Sequence, residues 1–364
     1  KGRYGMKAAV CYEFGKPLVI EDIDIRPPAP GEVRIKNVAT AVCHSDIHLV
    51  RGTLPFPPPI VGGHETAGYV EEIGEGVSGL EKGDPVVVSL LTSCGECRMC
   101  TTGHPNLCEY PWERGAVSPY KNQKGEPVDQ GFLIGSFAEQ TVVHKSQVVK
   151  LPPDMPLDSA SLLACGVATG FGAVVWRAKV ELCASVAVIG VGGVGLNSIQ
   201  GASLVSAYPI IAVDVNDAKL EAAKQFGATH TVNSAKVDPI QAVKELTDGR
   251  GADYVFVTVG SPQALEQSVP MAAARGSAVW VGIPNIKDTV TFSPFPVFRE
   301  ERSIIGCWMG NTNLKNDIPK LVTLYKTGKL KLDELITKRY PLEEINEAME
   351  AVERGEALRN VIMF

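Results

Sequence analysis

Ser185-Val186-Ala187-Val188-Ile189-Gly190-Val191-Gly192-Gly193-Val194-Gly195 decides the fold of this chain. Five small and β-branched residues make a buried strand, and the G-x-G-x-x-G pattern that follows opens a helix-like stretch through Ser206. Gly190 permits the tight turn, Gly192 lets backbone approach a pyrophosphate, and Gly195 lets the helix pack close to the sheet. Amides at the helix start, from Gly193 and Val194 onward, then face the phosphates. A second strand, Ile210 to Val213, ends in Asp214, nineteen residues beyond Gly195. A carboxylate there accepts hydrogen bonds from the adenosine ribose and repels a 2′-phosphate, so the expected cofactor is NAD rather than NADP. Lys219 is a further candidate ribose contact.

The same rhythm continues outward. A helix from Asp217 to Phe226 stops at Gly227, and strands are expected at His230 to Val232, Tyr254 to Val259, Ala278 to Val281 and Ser303 to Cys307. Six strands with intervening helices give an α/β, doubly wound parallel sheet. Upstream, from Met6 to about Gln147, short β-type runs such as Val33 to Lys36 and Val86 to Val88 are punctuated by Gly74, Gly76, Gly79 and Gly83, which predicts a β-rich domain. The stretch Tyr110 to Gly131, with Pro111, Gly115, Pro119 and Gly125, has no clear period and reads as a long surface excursion. Lys1 to Gly5 precede Met6, read as the native start, and are set aside as an expression remnant.

Cysteines supply the chemistry. Cys94, Cys97, Cys100 and Cys108 fall within fifteen residues, the spacing of a closed tetrahedral zinc shell. The competing reading is two disulfides, which the lack of a secretory segment disfavours. Cys43 and Cys165 stand far apart with Gly63-His64-Glu65 between them. Two thiolates and an imidazole from separate segments suit a catalytic zinc that keeps one position open. Spacing alone leaves buried free cysteines and an ordinary histidine as the alternative.

With 364 residues, 45% hydrophobic and 21% charged, the chain fits a two-domain cytoplasmic enzyme. No run of eighteen apolar residues marks a membrane span. A net charge of -6 argues against nucleic acid as a partner. Zinc beside a nicotinamide suggests that a Lewis acid lowers the pKa of an alcohol while hydride leaves carbon. The proton then needs a path, for which Ser45 and His48, two and five residues after Cys43, are candidates.

These motifs together resemble the zinc-dependent alcohol dehydrogenases of the medium-chain dehydrogenase/reductase family. The likeness rests on Cys43-His44-Ser45-Asp46, Gly63-His64-Glu65-Thr66-Ala67-Gly68, the four-cysteine lobe, Cys165-Gly166-Val167-Ala168-Thr169-Gly170, the glycine motif with Asp214, and Leu358-Arg359-Asn360-Val361. It implies a GroES-like catalytic domain over residues 1–165 and 309–364, and a Rossmann NAD-binding domain over 166–308. It further implies that Cys43, His64 and Cys165 hold a catalytic zinc and that Ser45 starts a relay ending at His48. Asp46 would orient His64, and Glu65 would stand close to the metal. Thr169, Asp214 and Lys219 would touch the cofactor, with Val259 and Ile283 beside it and Arg359 on its pyrophosphate. A homodimer paired through Ser303 to Met309 is expected, with a tetramer as the variant.

Departures from the family shape the substrate expectation. His44 replaces an arginine that many relatives set against the pyrophosphate, which weakens that contact near neutral pH. Leu90 stands where some relatives carry a bulky aromatic, so the pocket should admit wider alcohols. Phe132 and Ile283 are expected walls, with Trp112 or Trp308 near the entrance. Apolar primary alcohols and their aldehydes, aliphatic or aromatic, are therefore the expected substrates, with secondary alcohols and ketones as the variant. A polyol enzyme of the same family tends to use a carboxylate in place of Cys165, and one acting on a thiol adduct of formaldehyde needs more basic residues than Arg114. The competing class is a zinc-free reductase or a nucleotide-binding relative that keeps only the fold. Metal content separates it.

Overall fold

A computed structural model describes residues 4–110 and 117–364. The chain divides into two compact units: residues 1–165, 313–328 and 332–364 form one, and residues 166–312 with 329–331 form the other.

The second unit contains the doubly wound sheet. Its six strands run parallel in the order His230–Asn233, Ile210–Asp214, Val186–Ile189, Ala252–Val257, Ala272–Trp280 and Ser303–Gly306. Val186–Ile189 lies near the centre and is buried along its whole length, as a Val/Ile run covered by helices on both faces must be. The fifth strand begins at Ala272, six residues before the expected Ala278. Its Ala-Ala-Ala-Arg-Gly start carries no β signal, and the pairing is irregular there, with a register shift between Ala252 and Tyr254. Gly193–Leu204 is the helix opened by the glycine motif. Asn216 caps Asp217–Gln225, accepting from the amides of Ala218 (2.9 Å) and Lys219 (3.4 Å). That helix ends before Gly227 at φ +113°, a conformation that favours glycine.

In the first unit, seven strands form one sheet. Its path is Val148–Lys150, Pro85–Val88, Thr66–Ile73, Glu32–Val42, Arg359–Met363 and Ile336–Pro341, with Gln140–His144 pairing off Glu32–Val42. The C-terminal strand thus runs beside the long Glu32–Val42 strand, Asn360 facing Val42. A closed barrel of Tyr4–Cys11, Val19–Ile25, Tyr120–Lys121, Pro127–Gln130 and Ile60–Val61 completes the unit. Two expectations are corrected here. Tyr4 and Gly5 pair with Ile25 and Asp24, so these two residues, set aside from the fold above, belong to the first strand. The presumed excursion Tyr110 to Gly131 contributes two barrel strands, with Tyr120 fully buried; strands of two and four residues are too short to show a period. Trp112 and Arg114 lie outside the described residues. No single helix among those described is long and apolar enough to cross a membrane.

Candidate metal and cofactor sites

Cys43, His64, Glu65 and Cys165 converge, each offering a ligand atom within 4.8 Å of the others, and all four are buried. Cys43 immediately precedes the helix His44–Val50. His64 follows Gly63, whose φ of +88° and tight surroundings exclude a side chain: an added Cβ would lie 2.7 Å from Phe137 N and Ser136 Oγ. Cys165 sits at the end of the short helical run Leu162–Ala164.

Asp46, with no exposed surface, ties the first two candidate ligands together. Its Oδ2 accepts from the Cys43 amide (3.1 Å), and its Oδ1 accepts from the Gly63 amide (3.0 Å) and from His64 Nδ1 (2.9 Å). A carboxylate can only accept, so Nδ1 donates to Asp46 and Nε2 is the nitrogen left for a ligand. That Nε2 is buried and has no hydrogen-bond partner, an arrangement that is costly unless something else binds it. Burial pulls the His64 imidazole pKa down, and Asp46 outweighs that pull and holds it well above its ordinary value. Cys165 holds Cys43 well below an ordinary thiol, and Cys165 is itself raised well above one by Cys43 and by burial.

Arg359, on the last strand, is 5% exposed and pairs with Glu65 at 2.5 Å. Burial lifts the Glu65 carboxyl to about 7 against the pull of that guanidinium. With both cysteines ionised, the buried acidic groups Cys43, Cys165, Asp46 and Glu65 outweigh the single Arg359 guanidinium, an excess of negative charge that a divalent cation would offset. Donor types, the orphaned Nε2 and the charge deficit all fit zinc.

In the lobe, Cys94, Cys97, Cys100 and Cys108 also gather their sulfurs within 4.8 Å. The separations are 3.9 Å for Cys94 to Cys100 and 4.0 Å for Cys97 to Cys108, far beyond a disulfide bond. A zinc–sulfur bond of about 2.3 Å places tetrahedral sulfurs about 3.8 Å apart. Backbone amides donate to these sulfurs, Glu96 and Cys97 to Cys94 at 3.3 and 3.2 Å, and Cys94 to Cys108 at 3.3 Å. Backbone donors lower Cys94, and bring Cys97 to about 6, while burial raises Cys100 to about 12.

The relay candidates lie three residues apart on one helix. Ser45 Oγ is 3.7 Å from the Cys43 sulfur, and His48 Nδ1 bonds Thr53 Oγ1 at 3.0 Å. His44 is exposed. Phe132 is buried with its ring 4.5 Å from the His64 ring and 5.2 Å from Phe56, while Leu90 packs part-buried against the hydrophobic core. Phe56 escaped sequence reading because a single aromatic in a Pro-rich loop carries no pattern.

In the other unit, Gly190 (φ +86°) and Gly195 are fixed by contact. A Cβ would lie 2.3 Å from Val259 Cγ1 at Gly190 and 1.9 Å from Gly190 O at Gly195. Nothing lies within 4 Å of a Cβ at Gly192, so open space faces the backbone there, as a pyrophosphate needs. Asp214 Oδ2 accepts from Val191 N (2.8 Å) and Oδ1 from Asn216 N (3.0 Å), which fixes the carboxylate beside the glycine turn. Thr169 Oγ1 lies 3.6 Å from Met309 Sδ. Lys219 and Ile283 are part-buried, and Trp308 is exposed.

Comparison with known proteins places this arrangement. Residues 29–153 match the alcohol dehydrogenase GroES-like domain, and residues 193–327 match the zinc-binding dehydrogenase domain. The class-P alcohol dehydrogenase of Arabidopsis thaliana is 40% identical, with 98% of this chain and 96% of that protein covered. Among solved structures, an alcohol dehydrogenase zinc-binding domain protein from Burkholderia ambifaria superposes with TM-score 0.95 at 33% identity, covering 100% of both chains. Benzyl alcohol dehydrogenase from Acinetobacter calcoaceticus superposes with TM-score 0.93 at 35% identity over 99% of both chains. The chain belongs to the zinc-type medium-chain alcohol dehydrogenases, with a GroES-like domain and a Rossmann-type domain, and is a zinc-containing alcohol dehydrogenase.

Proposed function

We propose that this dehydrogenase uses NAD to oxidise apolar primary alcohols, with a preference for aromatic ones, and reduces the corresponding aldehydes. The observation that carries the reading is the convergence of Cys43, His64 and Cys165 from three separated segments, with His64 Nε2 buried and unbonded. Zinc held there would supply Lewis acidity to the alcohol oxygen, and NAD would accept hydride. The chain's own residues do the rest. Asp46 keeps His64 in the tautomer that presents Nε2. Ser45 takes the alcohol proton, and His48, part-exposed and held by Thr53, delivers it to solvent. Cys94, Cys97, Cys100 and Cys108 hold a second, structural zinc.

Asp214 favours NAD, because its fixed carboxylate would repel a ribose 2′-phosphate. The aromatic preference rests on the Phe56 and Phe132 rings, on Leu90 in place of a bulkier side chain, and on likeness to a benzyl alcohol dehydrogenase. A homodimer through the edge strand Ser303–Gly306 accounts for Phe295 and Phe298, 67% and 80% exposed just before it. Rates with ethanol, benzyl alcohol and cinnamyl alcohol, measured with NAD and NADP in parallel, test the reading. We expect benzyl and cinnamyl alcohols with NAD to give the highest kcat/KM. Faster ethanol oxidation, or a preference for NADP, contradicts it.

A further inference from the structure

Phe132 and Leu133 are consecutive non-glycine residues in the left-handed region, at φ 53° and 58°. Such a pair persists only where its surroundings over-determine it. Here three successive carbonyls of the turn are caught by side chains. Gly135 O accepts from the Tyr120 hydroxyl (2.9 Å). Ile134 O accepts from Gln130 Nε2 (2.8 Å) and from Thr141. Leu133 O accepts from Gln147 Nε2 (3.2 Å). In this turn the Phe132 ring lies against the His64 imidazole, centroids 4.5 Å apart.

Gln147 does more than hold the turn. It is 1% exposed, and the same Nε2 donates to Ser89 O (3.2 Å), while its Oε1 accepts from His144 N (3.0 Å). Ser89 in turn donates through Oγ to Ala164 O (2.6 Å), the carbonyl next to Cys165, and precedes Leu90. One carboxamide thus bridges the turn that seats Phe132 against one ligand and the segment that anchors the residue before another.

We infer that Gln147 is a positioning residue of the alcohol-oxidising site, setting the stance of Phe132 over His64 and of the segment leading into Cys165, and thereby the selectivity for aromatic over small alcohols. The inference rests on the function proposed above. No spacing in the sequence signals it, because the residue acts through two bonds to carbonyls 14 and 58 positions away.

Gln147→Met keeps the length and apolar bulk of the side chain but removes both donors, and Gln147→Glu keeps the acceptor for His144 N while also removing them. Two readouts apply to both. In the zinc-loaded enzyme, kcat/KM for benzyl alcohol should fall about tenfold relative to ethanol, chiefly through KM. In the cobalt-substituted enzyme, the visible d–d bands of the Cys43, His64 and Cys165 site should shift, whatever the activity. Tyr120→Phe, which loosens the far end of the same turn, should move both readouts in the same direction and serves if the Gln147 variants do not fold. A lowered Tm with an unchanged benzyl-to-ethanol ratio and unchanged cobalt bands overturns the inference and makes Gln147 merely structural. A parent enzyme that oxidises no alcohol sinks the proposed function instead, and the cobalt bands then still decide the positioning role.

Discussion

Asp46→Asn isolates the charge of the group that orders the metal ligands. Three donors converge on the carboxylate: Gly63 N and His64 Nδ1 on Oδ1, and Cys43 N on Oδ2. Asparagine keeps one oxygen, which satisfies the first two, and turns an NH2 group towards the Cys43 amide. That amide is buried and loses its acceptor. A hydrogen bond to a charged group contributes about 1.5 to 3 kcal/mol, and about 1.4 kcal/mol is a factor of ten in affinity. Cys43 is itself a proposed ligand, so zinc affinity at the Cys43, His64 and Cys165 site should fall about ten- to a hundredfold, the range for partners behind metal ligands. Competition with a chelator, followed by metal analysis, reads this directly, and the zinc of the four-cysteine lobe serves as the internal control. The reasoning fails if the folded variant releases both zinc ions with the parent's affinities, or if the lobe zinc is lost first.

Cys100→Ala should lower Tm by roughly 5 °C or more before it lowers kcat per folded chain, because a structural zinc contributes folding free energy; a stable, inactive variant in calorimetry and turnover assays would assign the lobe to catalysis. Asp214→Gly should reduce the NAD-to-NADP ratio of kcat/KM about tenfold, or about 1.4 kcal/mol, and an unchanged ratio removes the carboxylate from ribose recognition. Glu32 is held below the usual carboxylate range: burial pushes it up, but the paired bonds from Arg26 (2.5 and 2.9 Å) and the Ala29 amide outweigh burial. A depressed carboxylate stabilises the fold above its unfolded pKa and loses that contribution as pH falls through the folded one. Glu32→Gln should therefore cost about 1 kcal/mol at neutral pH, the part-exposed Arg26 keeping the value low. The gap between parent and variant in denaturant titrations should close in acid, and a gap constant with pH refutes the pairing.

What the sequence shows is what leaves a period or a spacing. The buried Val186–Ile189 run, the glycine turn and Asp214 are local, and their order places a parallel sheet without knowledge of contacts. Thiol and imidazole chemistry likewise makes Cys43, His64 and Cys165 candidates, although their convergence is a property of the fold. The barrel strands at Tyr120–Lys121 and Pro127–Gln130 were hidden by their brevity, and the alanine-rich start of Ala272–Trp280 by its weak β propensity. Gln147, Tyr120 and Phe56 were hidden for another reason. Each works through one or two non-local contacts, and a lone polar or aromatic residue reads the same whether it anchors a site or fills a core.

The central claim is that Cys43, His64 and Cys165 hold the zinc at which alcohol is oxidised. Metal content and turnover of the parent and of Cys43→Ala test it most directly. The account predicts about two zinc ions per parent chain and about one in the variant, with NAD still bound and alcohol oxidation abolished. One zinc or none in the parent, or normal turnover by the variant, would contradict it.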